Sequence, residues 1–469
     1  MTTNTAAPPV TARVVWLTLI VVVLGDAMDL MDATIANVAA PSIVTELGVS
    51  ENVIPWLGAS YALALGSLLV LGGWAGDKFG QRRTFLTGMI GFIIGSALAG
   101  FAPNAGMLIA ARVIQGAFGA LLIPQGMAIM AATFPKPMLQ KAFAVFAPML
   151  GVFAVGGPIL GELIIDANLF GLGWRPVFLI NIVLGGGALI IAFRYLPAVP
   201  AQRSTRIDSI GSILLALALF GLLFGLVTGS TDGWNGLTIG SVIIGLILLG
   251  LFGWRQARAD EPLLPRSLLA NRGFTSGLVV GLCVFASFSG LMYVISLFFQ
   301  LGLGYSPTTT SLNLIPLTIG IMIGSGIANA LILKLGRRLV LIGMLTTILG
   351  TGLLLLFVLV SGVQVIWWQN LIATSLIGIA AGICFNSVFN TALDNLRPEE
   401  AGSASGSLSA IQQIANGIGS ALVTTIFIGT LAGGTTTAMT TTLIVILAIA
   451  VLCLLAVPLL PRTALELEE

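Results

Sequence analysis

Long apolar runs separated by short polar breaks organise the chain from residue 14 onward. The runs fall at 14–40, 54–76, 83–102, 105–132, 142–165, 176–197 and 207–229. They continue at 237–255, 274–301, 309–333, 338–361, 364–390, 403–430 and 439–460. Crossing a bilayer takes about 20 apolar residues in a helix, so the pattern predicts about fourteen spans. A barrel is excluded, because its strands would alternate over about ten residues. An even number of spans puts both termini on one side. The predicted class is an all-α polytopic membrane protein.

The first run carries three carboxylates, Asp26, Asp29 and Asp32. A charge at mid-membrane costs roughly 2.5–3.5 kcal/mol on insertion scales, so an acid there points to function. At 3.6 residues per turn the three spread over about a third of the helix circumference. They can all face one cavity.

Composition agrees with the pattern. Of 469 residues, 57% are hydrophobic and 8% charged, with a mean hydropathy of +1.06. A soluble domain carries about 25% charged residues. No cleavable signal sequence is expected. The cysteines Cys283, Cys384 and Cys453 sit inside apolar runs and read as small core residues. The chain has no histidine, so proton chemistry must run through carboxylates. No metal site and no cofactor are expected.

Basic residues set the orientation. With the N-terminus in the cytoplasm, all but two of the 20 Lys and Arg face that side. Arg175 faces outside, and Arg112 lies within a span.

The chain also repeats itself. DKFGQRRTFLTGM follows the second run, and LKLGRRLVLIGM follows the tenth. Two related six-helix halves are expected, over 1–200 and 273–469. Two additional helices and a cytoplasmic linker, partly helical, fill 201–272.

The segment Gly73-Trp74-Ala75-Gly76-Asp77-Lys78-Phe79-Gly80-Gln81-Arg82-Arg83 resembles the signature loop of the major facilitator superfamily, with Ala75 in place of the usual Leu. Glycines allow a tight turn and close helix approach. Asp77 can pair with the arginines, or sit at the positive N-terminus of a neighbouring helix. The resemblance places that neighbour near Ala401 to Ser405. LIAARVIQGAFGA, with Arg112, resembles the family's fourth-helix motif, and GVFAVGGPILG, with Gly157, Pro158 and Gly161, its fifth-helix antiporter motif. Here Glu162 follows Gly161, where the family has a small residue. WRPVFLINIVLG and MDATIANVAAP are similar to the fourteen-helix drug/proton antiporter branch.

The resemblance implies a transporter rather than an enzyme. It implies export of lipophilic or cationic small molecules, driven by the proton gradient through alternating access. Asp32 matches the family's first-helix acid, and Asp26, Asp29, Arg112 and Glu162 complete the candidate proton and cation set. Gly73, Asp77, Gly80, Arg82, Arg83, Gly157, Pro158 and Gly161 are the candidate gating residues. A drug pocket needs apolar walls with few polar anchors. The candidates for it are Tyr61, Gln115, Phe298, Phe299, Gln300, Phe385, Asn386 and Asn390. A monomer in a bacterial-type plasma membrane is expected, with surrounding lipids and no nucleic acid as partners. Alternatives are export of a native metabolite, peptide or lipid, or a non-transporting membrane sensor or scaffold.

Overall fold

The computed structural model describes residues 12–50, 53–198, 208–231, 233–260, 262–364, 366–393, 396–397 and 400–461. Among these residues the chain is helical and has no strand. The first six helices are α1 (Ala12–Leu47), α2 (Ile54–Phe79), α3 (Gln81–Gly100), α4 (Ala105–Thr133), α5 (Lys136–Asp166) and α6 (Pro176–Tyr195). Next come α7 (Ser209–Thr231), α8 (Gly236–Arg258) and the short α9 (Arg266–Ala270). The rest are α10 (Arg272–Leu297), α11 (Pro307–Asn313), α12 (Ile315–Leu335), α13 (Arg337–Ser361), α14 (Trp367–Leu393), α15 (Ala401–Thr430) and α16 (Thr435–Ala456).

Among the described residues, thirteen helices are long and apolar enough to cross a membrane. The remaining expected span, 142–165, lies in α5, a helix of 31 residues. Several of its side chains, Pro158 included, lie outside the described residues. The tenth run divides into two pieces. Pro316 stands in the first turn of α12, where a missing N–H costs nothing, and α11 ends just before it. The linker holds one helix, α9.

Local chemistry sets the helix ends. Asn104 caps α4 by accepting from the Met107 amide at 2.9 Å, and Asn235 forms a capping box on α8. The turn between α2 and α3 needs a positive φ, supplied by Gly80 at 96°. Gly336, at 48°, serves the equivalent turn between α12 and α13.

The packing partners repeat as the sequence does. α2 and α3 lie on α4 as α12 and α13 lie on α14. α1 packs on α5 as α10 packs on α15, and α3 on α6 as α13 on α16. Even the arginines after the two glycine turns act alike. Arg82 donates to the Phe193 carbonyl near the end of α6. Arg337 donates to the Pro458 and Leu460 carbonyls just beyond α16, at 3.2 and 3.3 Å. Each cation therefore satisfies carbonyls at the negative end of a helix.

α7 and α8 form a hairpin against α2 and α15. Its base is tied by Arg255, 2.7 Å from Asp208. Burial works against the charged form of Asp208. Hydrogen bonds from Arg255 and the Gly211 amide outweigh it, and they hold the carboxyl below its ordinary value.

Close approach through glycine is general, since lipid offers no hydrophobic drive between helices. A Cβ on Gly378 of α14 would overlap the Leu317 carbonyl of α12, whereas a Cβ on Gly187 of α6 would meet nothing. Overpacking such a contact costs about 1–3 kcal/mol. Gly378→Ala is thus expected to lower the melting temperature of the detergent-solubilised protein, and Gly187→Ala to leave it unchanged. Equal melting temperatures for the two variants would refute this account of the helix contacts.

Candidate functional site

Five helices meet at the Arg112 side chain, which is 0% exposed. Its guanidinium pairs with Asp32 of α1, donates to Gln115 Oε1 at 3.0 Å, and donates to the Leu57 carbonyl of α2 at 2.9 Å. Asp32, 1% exposed, also accepts from Asn181 of α6 at 2.8 Å. Asn181 and Gln115 both donate to Ser96 of α3, at 3.2 and 2.7 Å. Two rings flank the cation. The Tyr61 centroid lies 4.4 Å from it and the Phe178 centroid 5.8 Å. Glycine makes room for the group: Gly116 of α4 meets the Tyr61 carbonyl, and Gly95 of α3 meets the Gln115 backbone.

The three acids of α1 stand in different surroundings. Asp32 is sealed in the ion pair. Asp29, half-buried, accepts from the Tyr61 hydroxyl. Asp26 is buried, and its Oδ1 has no hydrogen-bond partner. An orphaned carboxylate oxygen inside a membrane protein is a strong acceptor with nothing to accept from. Tyr61 links the set, because its hydroxyl meets Asp29 while its ring covers Arg112.

A second polar contact joins the two sets of six helices. The Asp77 carboxylate, at the end of α2, accepts from the Gly402 amide at 2.9 Å. It also accepts from the Ser403 amide at 2.7 Å and the Ser403 hydroxyl at 2.6 Å. These are the free amides of the first turn of α15, where a carboxylate fits both the hydrogen bonding and the dipole. Gly73 lies against the Gly402 carbonyl, and Ser405 donates to the Pro124 carbonyl of α4 at 2.8 Å. Arg83 is exposed. The helices are thus closed on one another at the end that carries the Gly80 turn.

The remaining candidates are dispersed. Gly157 and Gly161 are buried in α5, and Glu162 is partly exposed. Phe298 and Phe299 lie in an apolar core shared with residues of α12, α14, α15 and α16. They occupy a π-helical continuation of α10, Phe298–Gly302, in which Gln300 is exposed. Phe385 packs against Phe285 and Phe288, with centroids 5.0 and 4.8 Å apart. Asn390 donates to the carbonyl and side chain of Asn386, at 2.8 and 2.7 Å. Tyr61 and Gln115 stand in the charged network rather than along an open pocket wall. Sequence reasoning missed Asn181 and Ser96. A lone Asn inside the apolar run of α6 was the available signal for the first; Ser96 offered none.

Removing one partner of a buried ion pair costs about 3–5 kcal/mol, because the other charge is left unpaired. Asp32→Asn is therefore expected to lower the melting temperature more than the Asp32→Asn/Arg112→Gln double variant does. Thermal unfolding of the purified proteins decides it. A double variant less stable than the single one would show that Arg112 is held by its other partners.

The sequence pattern of the Major Facilitator Superfamily matches residues 22–420. The chain is 36% identical over 431 residues to a probable actinorhodin transporter of Streptomyces coelicolor, covering 91% of this chain and 74% of that one. It is 30% identical over 413 residues to a tetracenomycin C resistance and export protein of Streptomyces glaucescens, covering 87% and 75%. The fold is similar to that of a POT family transporter solved with a thioalcohol-conjugated peptide, at a TM-score of 0.67 and 16% identity, covering 95% and 96%. With its apolar helices, its repeated packing and a family match over most of its length, the chain belongs to the Major Facilitator Superfamily and is an integral membrane transporter, not an enzyme.

Proposed function

We propose that this transporter exports lipophilic or cationic small molecules in exchange for protons. The observation that carries the reading is the contrast among the acids of α1. Asp32 is neutralised by Arg112, whereas Asp29 is half-buried and held by a neutral phenol. A carboxylate so placed can take a proton or a cation, and competition for it is the simplest form of antiport. Names of relatives support the direction, since one of them is a resistance and export protein.

The same proposal places both termini in the cytoplasm, as the basic residues favour. The contact between Asp77 and α15 then closes the cytoplasmic side. Opening that side means withdrawing Asp77 from α15, while the Arg112 network stays intact within the first six helices. The units 1–200 and 273–469 would rock about a midplane site, with 201–272 beside them. Asp29 takes the exchange role and Asp32 the supporting one. Glu162, partly exposed on α5, is a further acid for the same test.

The test uses proteoliposomes with an imposed pH gradient. A fluorescent lipophilic cation and the internal pH are followed together. The wild type is expected to show coupled fluxes and Asp29→Asn to lose the proton flux. Glu162→Gln is expected to keep it. Coupled flux that survives in Asp29→Asn and disappears in Asp32→Asn would transfer the exchange role to Asp32. Absence of cation flux in the wild type would overturn the export reading for the compound used.

A further inference from the structure

On one side of the bundle the ends of α1, α3 and α6 gather three arginines around one ring. The guanidinium carbon of Arg13, in the first turn of α1, lies 5.8 Å from the Tyr195 ring centroid, and that of Arg194 lies 6.0 Å from it. The two charges are therefore no farther apart than the sum of those distances. Arg82, in the first turn of α3, donates to the Phe193 carbonyl next to them. Apolar packing among Val15, Leu86 and Leu196 holds the three helix ends together.

Like charges this close repel one another, and elsewhere in the chain such charge is balanced. Arg112, Arg175 and Arg255 pair with Asp32, Glu46 and Asp208. Among the described residues, no carboxylate pairs with Arg13, Arg82 or Arg194. The adjoining sequence supplies none either, since 1–25, 78–161 and 167–207 contain no Asp or Glu.

Behind these charges α1 and α6 each turn an apolar stripe outward. Arg13, Trp16 and Ile20 share one face of α1 by their spacing, and all three are exposed. Val183, Ile190 and Arg194 share one face of α6, where Val183 is 74% and Ile190 75% exposed. Arg13 and Arg194 stand at the ends of their spans, at the depth of lipid headgroups. Cations at the interface with apolar stripes running into the bilayer complement an acidic head on acyl chains.

We propose that the ends of α1, α3 and α6 form a binding site for an anionic phospholipid. Its phosphate lies between Arg13 and Arg194 with Arg82 beside them, and its acyl chains run along the exposed faces of α1 and α6. A planar guanidinium suits phosphate oxygens. A free phosphate would use the same arginines and leave the apolar stripes without a role. The orientation proposed above makes the leaflet the cytoplasmic one. The site stands on its own geometry, and binding is measured without transport.

The test is native mass spectrometry of the full-length protein in detergent, with phosphatidylglycerol and phosphatidylcholine as probes. The wild type is expected to hold its first phosphatidylglycerol more tightly than phosphatidylcholine. Arg13→Gln and Arg194→Gln are each expected to weaken that binding about 5-fold, and the double variant about 30-fold. Arg258→Gln/Arg272→Gln removes the same charge from either side of the linker and is expected to leave it unchanged. Melting temperatures confirm that the variants fold; should the double variant fail to, the single ones decide. Equal affinity for the two lipids in the wild type, or an equal loss in the linker variant, overturns the proposal. So does displacement of phosphatidylglycerol by millimolar inorganic phosphate, which would make the cluster a site for soluble anions.

Discussion

An arginine cannot be left unmatched inside a membrane, and much of the first six helices follows from that constraint. Arg112 is fully buried, so its donors call for acceptors from the protein; Nε and Nη1 have them, and Nη2 does not. The acceptors come from α1, α2 and α4 itself, while α3 and α6 supply the groups that orient them. Reaching one guanidinium from five helices requires the backbones to be close. Gly95 and Gly116 allow that approach, and their Cβ-free surfaces are pressed against neighbouring backbone. The charge and the glycines are two halves of one requirement. Charge demands convergence, and small residues permit it without any hydrophobic drive from the lipid.

The Asp77 contact is built on different physics. It joins two sets of helices rather than members of one set, and it uses amides that are free only because a helix begins there. Withdrawing Asp77 leaves those amides able to meet water at a membrane surface, so the contact can open without stranding a buried charge. Breaking the Arg112 network leaves no such refuge. The chain thus holds one polar cluster within a set of helices and another across the seam between two sets, the distribution that the proposed rocking needs. α9 is docked beside the same seam. Leu268 packs with Ala404, and Ser267 donates to Glu400 just ahead of α15. The linker is therefore coupled to whatever the start of α15 does.

Most of this architecture was legible because membrane spans announce themselves by length and glycine turns by their neighbours. The start of α15 could be named as the partner of Asp77 because the loop after α2 resembles the family's signature; the residues themselves left pairing with the following arginines equally open. Placing Phe298, Phe299 and Phe385 was harder, and the reason is physical. In lipid both faces of a helix are apolar, so periodicity no longer marks the buried side. Tyr61 and Gln115 show the converse. A polar residue in a span predicts an inward face, but not whether it meets substrate or another side chain. Asn181 was missed because neutral polar residues are individually common, and only the fold gathers it with Ser96 around Asp32.

The hairpin α7–α8 adds a constraint on motion between the two sets. α7 touches both, with Leu223 against Gly66 of α2 and Gly417 of α15. On the α2 side Phe224 lies 6.1 Å from Trp56 between centroids. On the α15 side Trp234 donates to Thr425 at 2.7 Å. A hydrogen bond is directional and holds its partner in register, whereas apolar surface on glycine has no such demand and can slide. Leu223 meets glycine on both neighbours, and the hydrogen bond adds its register to the α15 side. The hairpin is fastened toward α15 and packs on α2, so under the proposed rocking it would travel with the second set.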